Sequence, residues 1–586
     1  MHSQIYSKRH MNSAKVFKYS FFIFHLFNTT GRNTIVSAFQ TYSSYSKRSF
    51  VGSSIIHTSR LRPCSQTSIA MKVTNNKGHN ISNQKLPNVN KKPSIGIIGG
   101  GIAGLSCATH LAKSSSSSTF SQITVFDTGR LRPGGRCSSR FPQDKPGSSN
   151  VNTKRNTKST SILANQLVDH AAQILTVSSD SNSPFSQQVQ NWEEDGLLTR
   201  YPENSIFSIQ NSAQQKLSIS PISGPPGTVM YYGTNGMGSI PKAMAAADGF
   251  KIEQDVWVSP SNGVKYLSNQ SRSNNNNNNQ PNPSKNKQPS GSKNATWRIK
   301  AKGQILGDFN QIVIAHNGKC ADRLMSQTPA KKLHSLLRTN FSPTVPSHGG
   351  KRMTLNSIYS LTVALPKDVL STIPSDLISG FITNHKDLRF LSCNTRKFSS
   401  STNDSIELWT ILSSPKFAKQ HKGPQENLPS DTVDEVTYRM LHAVEQSFHL
   451  QKGILVSPPY PKEQDDRNIG NLGKNILESK LQLWGAAVPL NTWNSPSNDS
   501  EDDTLSSNGF LYDSKFGVGA CGDWLLESSI EGAWESGRRL AEWILQAEKE
   551  KNNSNNKDWS VGLPPNGSFQ ASSAVSKAGI GSLETK

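Results

Sequence analysis

The first acidic residue of the chain is Asp127, and before Pro93 there are fourteen Lys or Arg with no Asp or Glu. More than half of the formal charge of +23 therefore lies ahead of the sequence able to form a core, which argues against a basic nucleic-acid groove as its cause. Cysteine is scarce as well. Cys64, Cys107, Cys137, Cys320, Cys393 and Cys521 are widely scattered with no C-x-x-C pair, which argues against a disulfide framework and a structural zinc site. The hydrophobic share is only 34%, but Ser- and Asn-rich runs alternate with strongly apolar segments, so polar tracts dilute a normal core. No apolar run after the leader is long enough to cross a bilayer, so a soluble mature protein is expected, with peripheral membrane contact left open. A chain of 586 residues exceeds one ordinary core and implies two joined domains plus disordered additions.

What is present begins with a leader rich in Ser, Thr, Arg and Lys and free of acids, the composition of an organelle transit peptide. Tyr19 to Phe27, preceded by Lys15 and Lys18, reads as a short signal-peptide h-region. Val36-Ser37-Ala38-Phe39 resembles the Ala-Phe junction of bipartite plastid presequences. Residues 1–93 are thus expected to be a targeting presequence and disordered leader directing the chain to the plastid, or alternatively to the mitochondrion.

Ordered structure is expected from Pro93-Ser94 onward. Ile95 to Ile98 reads as a buried strand, Ile102 to Lys113 as a small-residue helix and Ile123 to Phe126 as a second buried strand, a βαβ opening. Ser114 to Ser118, Gln143 to Ser161, Asn269 to Asn294 and Ser495 to Ser507 read as surface insertions. Phe250 to Val258, Gly263 to Leu267, Trp297 to Ala301 and Ile305 to Phe309 suggest a β-meander, and Gln311 to Ala315 a return to a parallel sheet. Ile358 to Leu365, Leu388 to Cys393 and Ile406 to Leu412 suggest another sheet, followed by a helix over Asp431 to Phe448.

The chemistry-bearing motif is Gly99-Gly100-Gly101-Ile102-Ala103-Gly104, a G-x-G-x-x-G fingerprint between that strand and helix. Gly99 permits the tight turn, Gly101 lets backbone approach a pyrophosphate, and Gly104 lets helix and strand pack closely. The free N–H groups at the helix start, at Ile102 and Ala103, then meet phosphate charge. Asp127 ends the second strand at the spacing of a carboxylate that binds ribose hydroxyls. Near the C-terminus an apolar strand ends in Gly522-Asp523 and leads into a small-residue helix beginning about Ile530-Glu531.

Fingerprint, acid and the following Arg132-Pro133-Gly134-Gly135-Arg136 together resemble the flavin amine oxidases and renalase. The resemblance implies an α/β fold: a Rossmann-like FAD-binding domain of the GR2 type with a β-meander, and an interleaved α+β substrate domain with a mixed sheet. It assigns 94–160, 226–330 (with an insert at 269–294) and 508–548 to the first and 161–225 and 331–507 to the second, while the polar composition of 549–586 implies a disordered tail. It further implies noncovalent FAD. Gly134 and Gly135 would let their loop hug the cofactor, and Arg136 would face its pyrophosphate or flavin side. Val256 would meet adenine through backbone, Asp523 a ribityl or phosphate-linked hydroxyl, and the helix start at Ile530 and Glu531 the pyrimidine end of the flavin.

Asp169-His170-Ala171-Ala172-Gln173 resembles the family's D-x-G-A-Q segment near the cofactor, with Ala171 in place of a glycine, and Gly236-Met237-Gly238 resembles its entry into a helix packed on the nucleotide domain. Leu388 to Lys397 and Trp484 to Pro489 resemble segments that line the flavin face or precede the last cofactor element.

The implied activity is hydride transfer from a small reduced substrate, a dihydronicotinamide isomer or an amine, to flavin N5, with reoxidation by oxygen or another acceptor. A flavin desaturase or protoporphyrinogen-type oxidase, and a noncatalytic flavin or nucleotide sensor, stay open. No nucleophile, metal cluster or acid–base pair emerges from the sequence, and no catalytic residue is named.

Overall fold

The computed structural model describes residues 92–562 apart from 114–118, 143–160, 179–181, 212–216, 223–227, 268–295, 342–354, 384, 399–404, 426, 461–468, 490–507 and 552–556. Residues 1–91 of the leader, the insert at 269–294 and the other expected insertions, Ser161 excepted, lie outside the described residues.

The apolar run at Ile95 to Ile98 forms the central strand Ser94–Ile98 of a six-stranded sheet. Five strands run parallel in the order Lys251–Glu253, Gln122–Phe126, Ser94–Ile98, Gln311–Ile314, Val518–Cys521, and Phe510–Asp513 adds an antiparallel edge. A parallel sheet is buried on both faces, which is why these strands read as continuous apolar runs. Ile95 and Ile97 pack towards the helices Ile102–Lys113 and Ile530–Lys551, and Ile98 packs on the other side with the meander. Gly96 shares that second face: a Cβ there would stand 2.7 Å from Ile299 Cδ1, so a side chain would push the meander off the sheet.

The two helices cross closely because Gly537 offers no side chain. A Cβ on Gly537 would lie 2.1 Å from the Ala103 carbonyl oxygen, a backbone atom unable to yield alone. Gly537→Ala is therefore expected to destabilise by about 1–3 kcal/mol through overpacking, against the ~1 kcal/mol that alanine gains in an open helix. A thermal melt at or above the wild-type midpoint would contradict this.

The meander consists of Val264–Leu267, Thr296–Ala301 and Gln304–Phe309, all antiparallel. The expected strand Phe250 to Val258 is corrected: only Lys251–Glu253 is strand, and it pairs with Gln122–Phe126 at the edge of the main sheet. Asp255 turns the chain with φ 55°, and Val258 reaches the meander through a single bridge to Ala301. The helices Gly318–Met325 and Lys331–Phe341 pack with the meander against the six-stranded sheet, through Leu324, Leu333 and Leu336, although the sequence reading ended that domain at 330.

The second, seven-stranded sheet runs Glu478–Pro489, Leu355–Pro366, Ile406–Ser413, Leu388–Cys393, Ser379–Thr383, Ile206–Asn211, Leu217–Pro221. It is mixed, since Ser379–Thr383 and Ile206–Asn211 are parallel and the other neighbours antiparallel. Helix Ser430–Ser447 covers one face through Val436, Met440 and Val444. A small sheet of Leu175–Ser178, Thr228–Gly233 and Leu198–Arg200, with helix Pro184–Glu194, packs instead on the opening and C-terminal helices through Phe185, Val189 and Trp534.

The expected disordered tail from 549 is corrected at its start. The last helix continues to Lys551, and residues 557–562 return to the sheet, where Val561 pairs with Tyr512 and Trp543 Nε1 donates to the Trp559 carbonyl. Trp559 and Val561 bury their apolar surface there, enough to hold a short polar segment in place.

Candidate functional site

The C-terminal ends of the parallel strands open on a solvent-connected cleft, where ligands bind in open α/β sheets. Its first wall is the glycine turn. Gly99 has φ 118°, and a Cβ on it would lie 2.6 Å from the Ala315 carbonyl oxygen. Gly104 sits so close behind that its Cβ would be 1.9 Å from the Gly99 carbonyl oxygen. Gly101 is different: a Cβ there meets nothing within 4 Å, because the residue faces the open cleft beside Ile102 and Ala103. The amides at this helix start have no carbonyl one turn earlier and point at whatever occupies the cleft.

Asp127 stands at the end of the second strand, off the cleft wall. Gly100 N–H donates to its Oδ1 and Gly129 N–H to its Oδ2, each at 3.1 Å, which leaves acceptor capacity on both oxygens. Burial pushes its carboxyl above the ordinary range, and those two N–H groups oppose the rise. Val256 lies next to it, after the Asp255 turn and outside the meander, with its N–H committed to the Asp127 carbonyl at 2.9 Å.

The second wall is the loop at Gly134 and Gly135, with φ 134° and 53°. Gly134 N–H donates to the Gly100 carbonyl at 2.8 Å and Gly134 bridges to Gly101, so the loop lies directly on the fingerprint. Arg136 crosses the cleft and makes a bidentate pair with Asp523, Nη1 to Oδ2 at 2.6 Å and Nη2 to Oδ1 at 2.7 Å, while Nη1 also donates to the Ala487 carbonyl. The two residues assigned separate cofactor contacts thus meet each other. Burial acts to lower the Arg136 pKa, and Asp523 more than offsets it.

The third wall is the start of the C-terminal helix. Ser529 Oγ accepts from Gly532 N–H at 2.8 Å, and Ser529, Ile530 and Ala533 line the cleft. Glu531 lies in the same first turn but is not among the lining residues. Two helix N-termini and one guanidinium therefore face one volume, an arrangement suited to an extended anion.

The sequence reading missed Ala315, His316 and Asn317, which line the cleft after the strand Gln311–Ile314. Asn317 caps the next helix by accepting from Cys320 N–H at 3.1 Å, and the His316 carbonyl accepts from Trp524 Nε1 at 3.0 Å. The signal was available, since chain leaving the carboxyl end of a parallel strand belongs to the ligand crevice.

Asp169 supports the second wall from behind. Its carboxylate accepts from Ser139 Oγ at 2.5 Å, from Met237 N–H at 2.8 Å and from Lys397 Nζ at 2.7 Å, with both members of the ion pair fully buried. Ala172 N–H donates to the Arg136 carbonyl at 3.0 Å, which ties this segment to the loop. Ala171 is not among the described non-glycine residues with positive φ, so the replaced glycine brings no strain there. His170 stacks on Trp484 at 5.8 Å between ring centroids, and burial, followed by Arg140 and Lys480, lowers its pKa to about 3. Burial thus favours the neutral imidazole of His170. Of the other two segments, Leu388–Cys393 is an inner strand of the second sheet, and Trp484 to Pro489 completes its edge strand.

Among the described residues no helix is long and apolar enough to cross a membrane, and no group of His, Cys, Asp or Glu has a metal-holding arrangement.

Residues 97–186 match the NAD(P)-binding Rossmann-like domain family. No curated protein matches the sequence. Among solved structures, one from Exiguobacterium sp. 255-15 described as a protoporphyrinogen oxidase overlaps with a TM-score of 0.45 at 8% identity, covering 78% of this chain and 99% of its own. A putrescine oxidase overlaps with a TM-score of 0.41 at 12% identity, over 78% and 99% of the two chains. An oxidoreductase from Methanosarcina mazei gives 0.40 at 11% identity, over 77% and 100%. At such scores the likeness is only one of chain path.

Proposed function

We propose that the cleft holds FAD noncovalently and that the protein is an FAD-dependent oxidoreductase acting on a small reduced substrate. The observation that carries this reading is the convergence on one cleft of two helix N-termini, from Ile102 and from Ile530, with Arg136 between them and Asp127 at the adjoining strand end. A nucleotide domain without a flavin would need the first helix and Asp127 only. The residues fit the group: Gly101 faces open space where a diphosphate would approach, and both Asp127 oxygens keep lone pairs for ribose hydroxyls.

When bound, the flavin supplies a two-electron acceptor that takes a hydride from a substrate C–H bond and is reoxidised by oxygen or another acceptor. The chain's part is electrostatic and geometric. The amides around Ile102 and Ala103 hold the diphosphate, the helix start at Ser529 and Ile530 favours negative charge on the reduced ring, and the Arg136–Asp523 pair fixes the wall between them. Within this class a renalase-like or amine-oxidase-like reaction is the finer reading, on a dihydronicotinamide isomer or an amine, in a plastid. The alternatives are a desaturase or protoporphyrinogen-type oxidase and a noncatalytic sensor.

Anaerobic mixing of the flavin-loaded protein with reduced nicotinamides, amines and tetrapyrrole precursors separates these readings. Bleaching of the flavin absorbance by a nicotinamide or an amine is expected. Bleaching by a tetrapyrrole would select the second reading, bleaching by none of the panel the sensor, and a protein that never takes up flavin would end the proposal.

A further inference from the structure

The ribbon in which Ser139–Arg140 pairs with Val168–Asp169 faces the second sheet across a layer rich in polar groups without partners. Ser138, Arg140, Val168 and His170 share one side of the ribbon, as the 3.4 Å approach of Ser138 Oγ to His170 Nε2 indicates. On the sheet, Tyr359, Leu361 and Val363 pack towards the covering helices, so Ser360, Thr362 and Ala364 point the other way, and Ala364 meets Val168. The register places Gln482 opposite Ser360 and Lys480 opposite Thr362, and Arg140 Nη2 approaches Gln482 Oε1 at 3.4 Å.

Among the described residues, four buried polar atoms in this layer have no hydrogen-bond partner: His170 Nδ1, Arg140 Nη1, Ser360 Oγ and Thr362 Oγ1. His170, Ser360 and Thr362 are 8%, 1% and 0% exposed, and an unsatisfied buried polar group costs about 1–3 kcal/mol. Charge is unbalanced as well. Arg140 and Lys480 are both cations, while the nearby acid, Glu478, already accepts from Ser161 Oγ at 2.6 Å and Leu163 N–H at 3.0 Å. Burial holds Arg140 down to about 10 and lowers Lys480 as well, with Glu478 opposing both shifts. Lys480 is exposed at the rim, which gives an entry from solvent.

We propose that this layer is an anion subsite, in which Arg140, His170, Ser360 and Thr362 receive a carboxylate or phosphate group and Lys480 draws it in. It lies beside the nucleotide cleft: Trp484, stacked on His170, is three residues along the same strand from Ala487, whose carbonyl accepts from Arg136, a span of about 10 Å. Assigning the anion to the substrate rests on the flavin reading; the binding of an anion does not.

The test is equilibrium dialysis of the full, flavin-loaded chain against inorganic phosphate and, separately, acetate at constant ionic strength, with the flavin spectrum recorded on each sample. Saturable binding of one of them at a single site is expected, weakened at least tenfold by Arg140→Gln and severalfold by Thr362→Val. Lys480→Gln, at an exposed position, keeps the fold and should also weaken binding. Whichever anion saturates identifies the group the subsite takes. Yellow protein that binds neither anion, or variants that bind as tightly as wild type, would overturn the subsite alone, whereas colourless protein that still binds one, with the same weakening by Arg140→Gln and Thr362→Val, would overturn the flavin reading alone. In the bleaching assay Lys480→Gln should raise the reductant concentration that gives half-maximal bleaching more for an anionic reductant than for an uncharged one; equal effects on both would remove the anion from the substrate.

Discussion

Lys397→Met is expected to cost about 3–5 kcal/mol of stability, the penalty for leaving a buried carboxylate without its cation. Lys397 Nζ has its donors directed at Asp169 Oδ2 at 2.7 Å, the Gln173 carbonyl at 3.1 Å and Gln173 Oε1 at 3.4 Å. Burial by itself would lower the Lys397 ammonium, but Asp169 more than offsets that and holds it above its ordinary value. Asp169 also anchors Ser139 and Met237, and its backbone accepts from Thr410 Oγ1, so one ion pair joins the arginine loop, the glycine–methionine turn and the second sheet. Against a total stability of roughly 5–15 kcal/mol, losing it should lower the denaturant midpoint severely. Asp169→Asn should cost a similar amount. The double variant should cost clearly less than the sum, because neither charge is then left alone. A Lys397→Met midpoint within about 1 kcal/mol of wild type would show that the pair is not what fastens the layers.

The second large effect is on cofactor and not on folding. At Gly101 a valine side chain meets no atom of the protein within 4 Å at its Cβ, so Gly101→Val should fold with a melting point close to that of flavin-free wild type. The same side chain occupies the space through which a diphosphate reaches the helix start, and affinity should fall on the order of 100-fold, equivalent to about 2.7 kcal/mol. Purification of a folded, colourless protein is the expected result. Gly104→Val makes the contrast, since its Cβ would stand 1.9 Å from the Gly99 carbonyl oxygen and must disturb the turn itself. Flavin retained in Gly101→Val at wild-type stoichiometry would remove the diphosphate from this wall.

The sequence by itself determined the opening βαβ unit of the six-stranded sheet and most of the cleft wall. Ser94–Ile98, Ile102–Lys113 and Gln122–Phe126 appear almost residue for residue, because buried parallel strands must be continuously apolar and the glycine turn between them tolerates few alternatives. Of the residues assigned to the cofactor, Gly101, Ile102, Ala103, Gly134, Arg136, Gly522, Asp523 and Ile530 line one cleft although the last three lie near the other end of the chain. Only the tertiary structure decided how charges are paired. That Arg136 meets Asp523, that Lys397 meets Asp169, and that Arg140 and His170 face Ser360 and Thr362 across a layer depend on sheet register between segments hundreds of residues apart. Hydrophobic periodicity records which face of a strand is buried, whereas a charged or hydroxyl side chain has no partner until two strands are laid side by side.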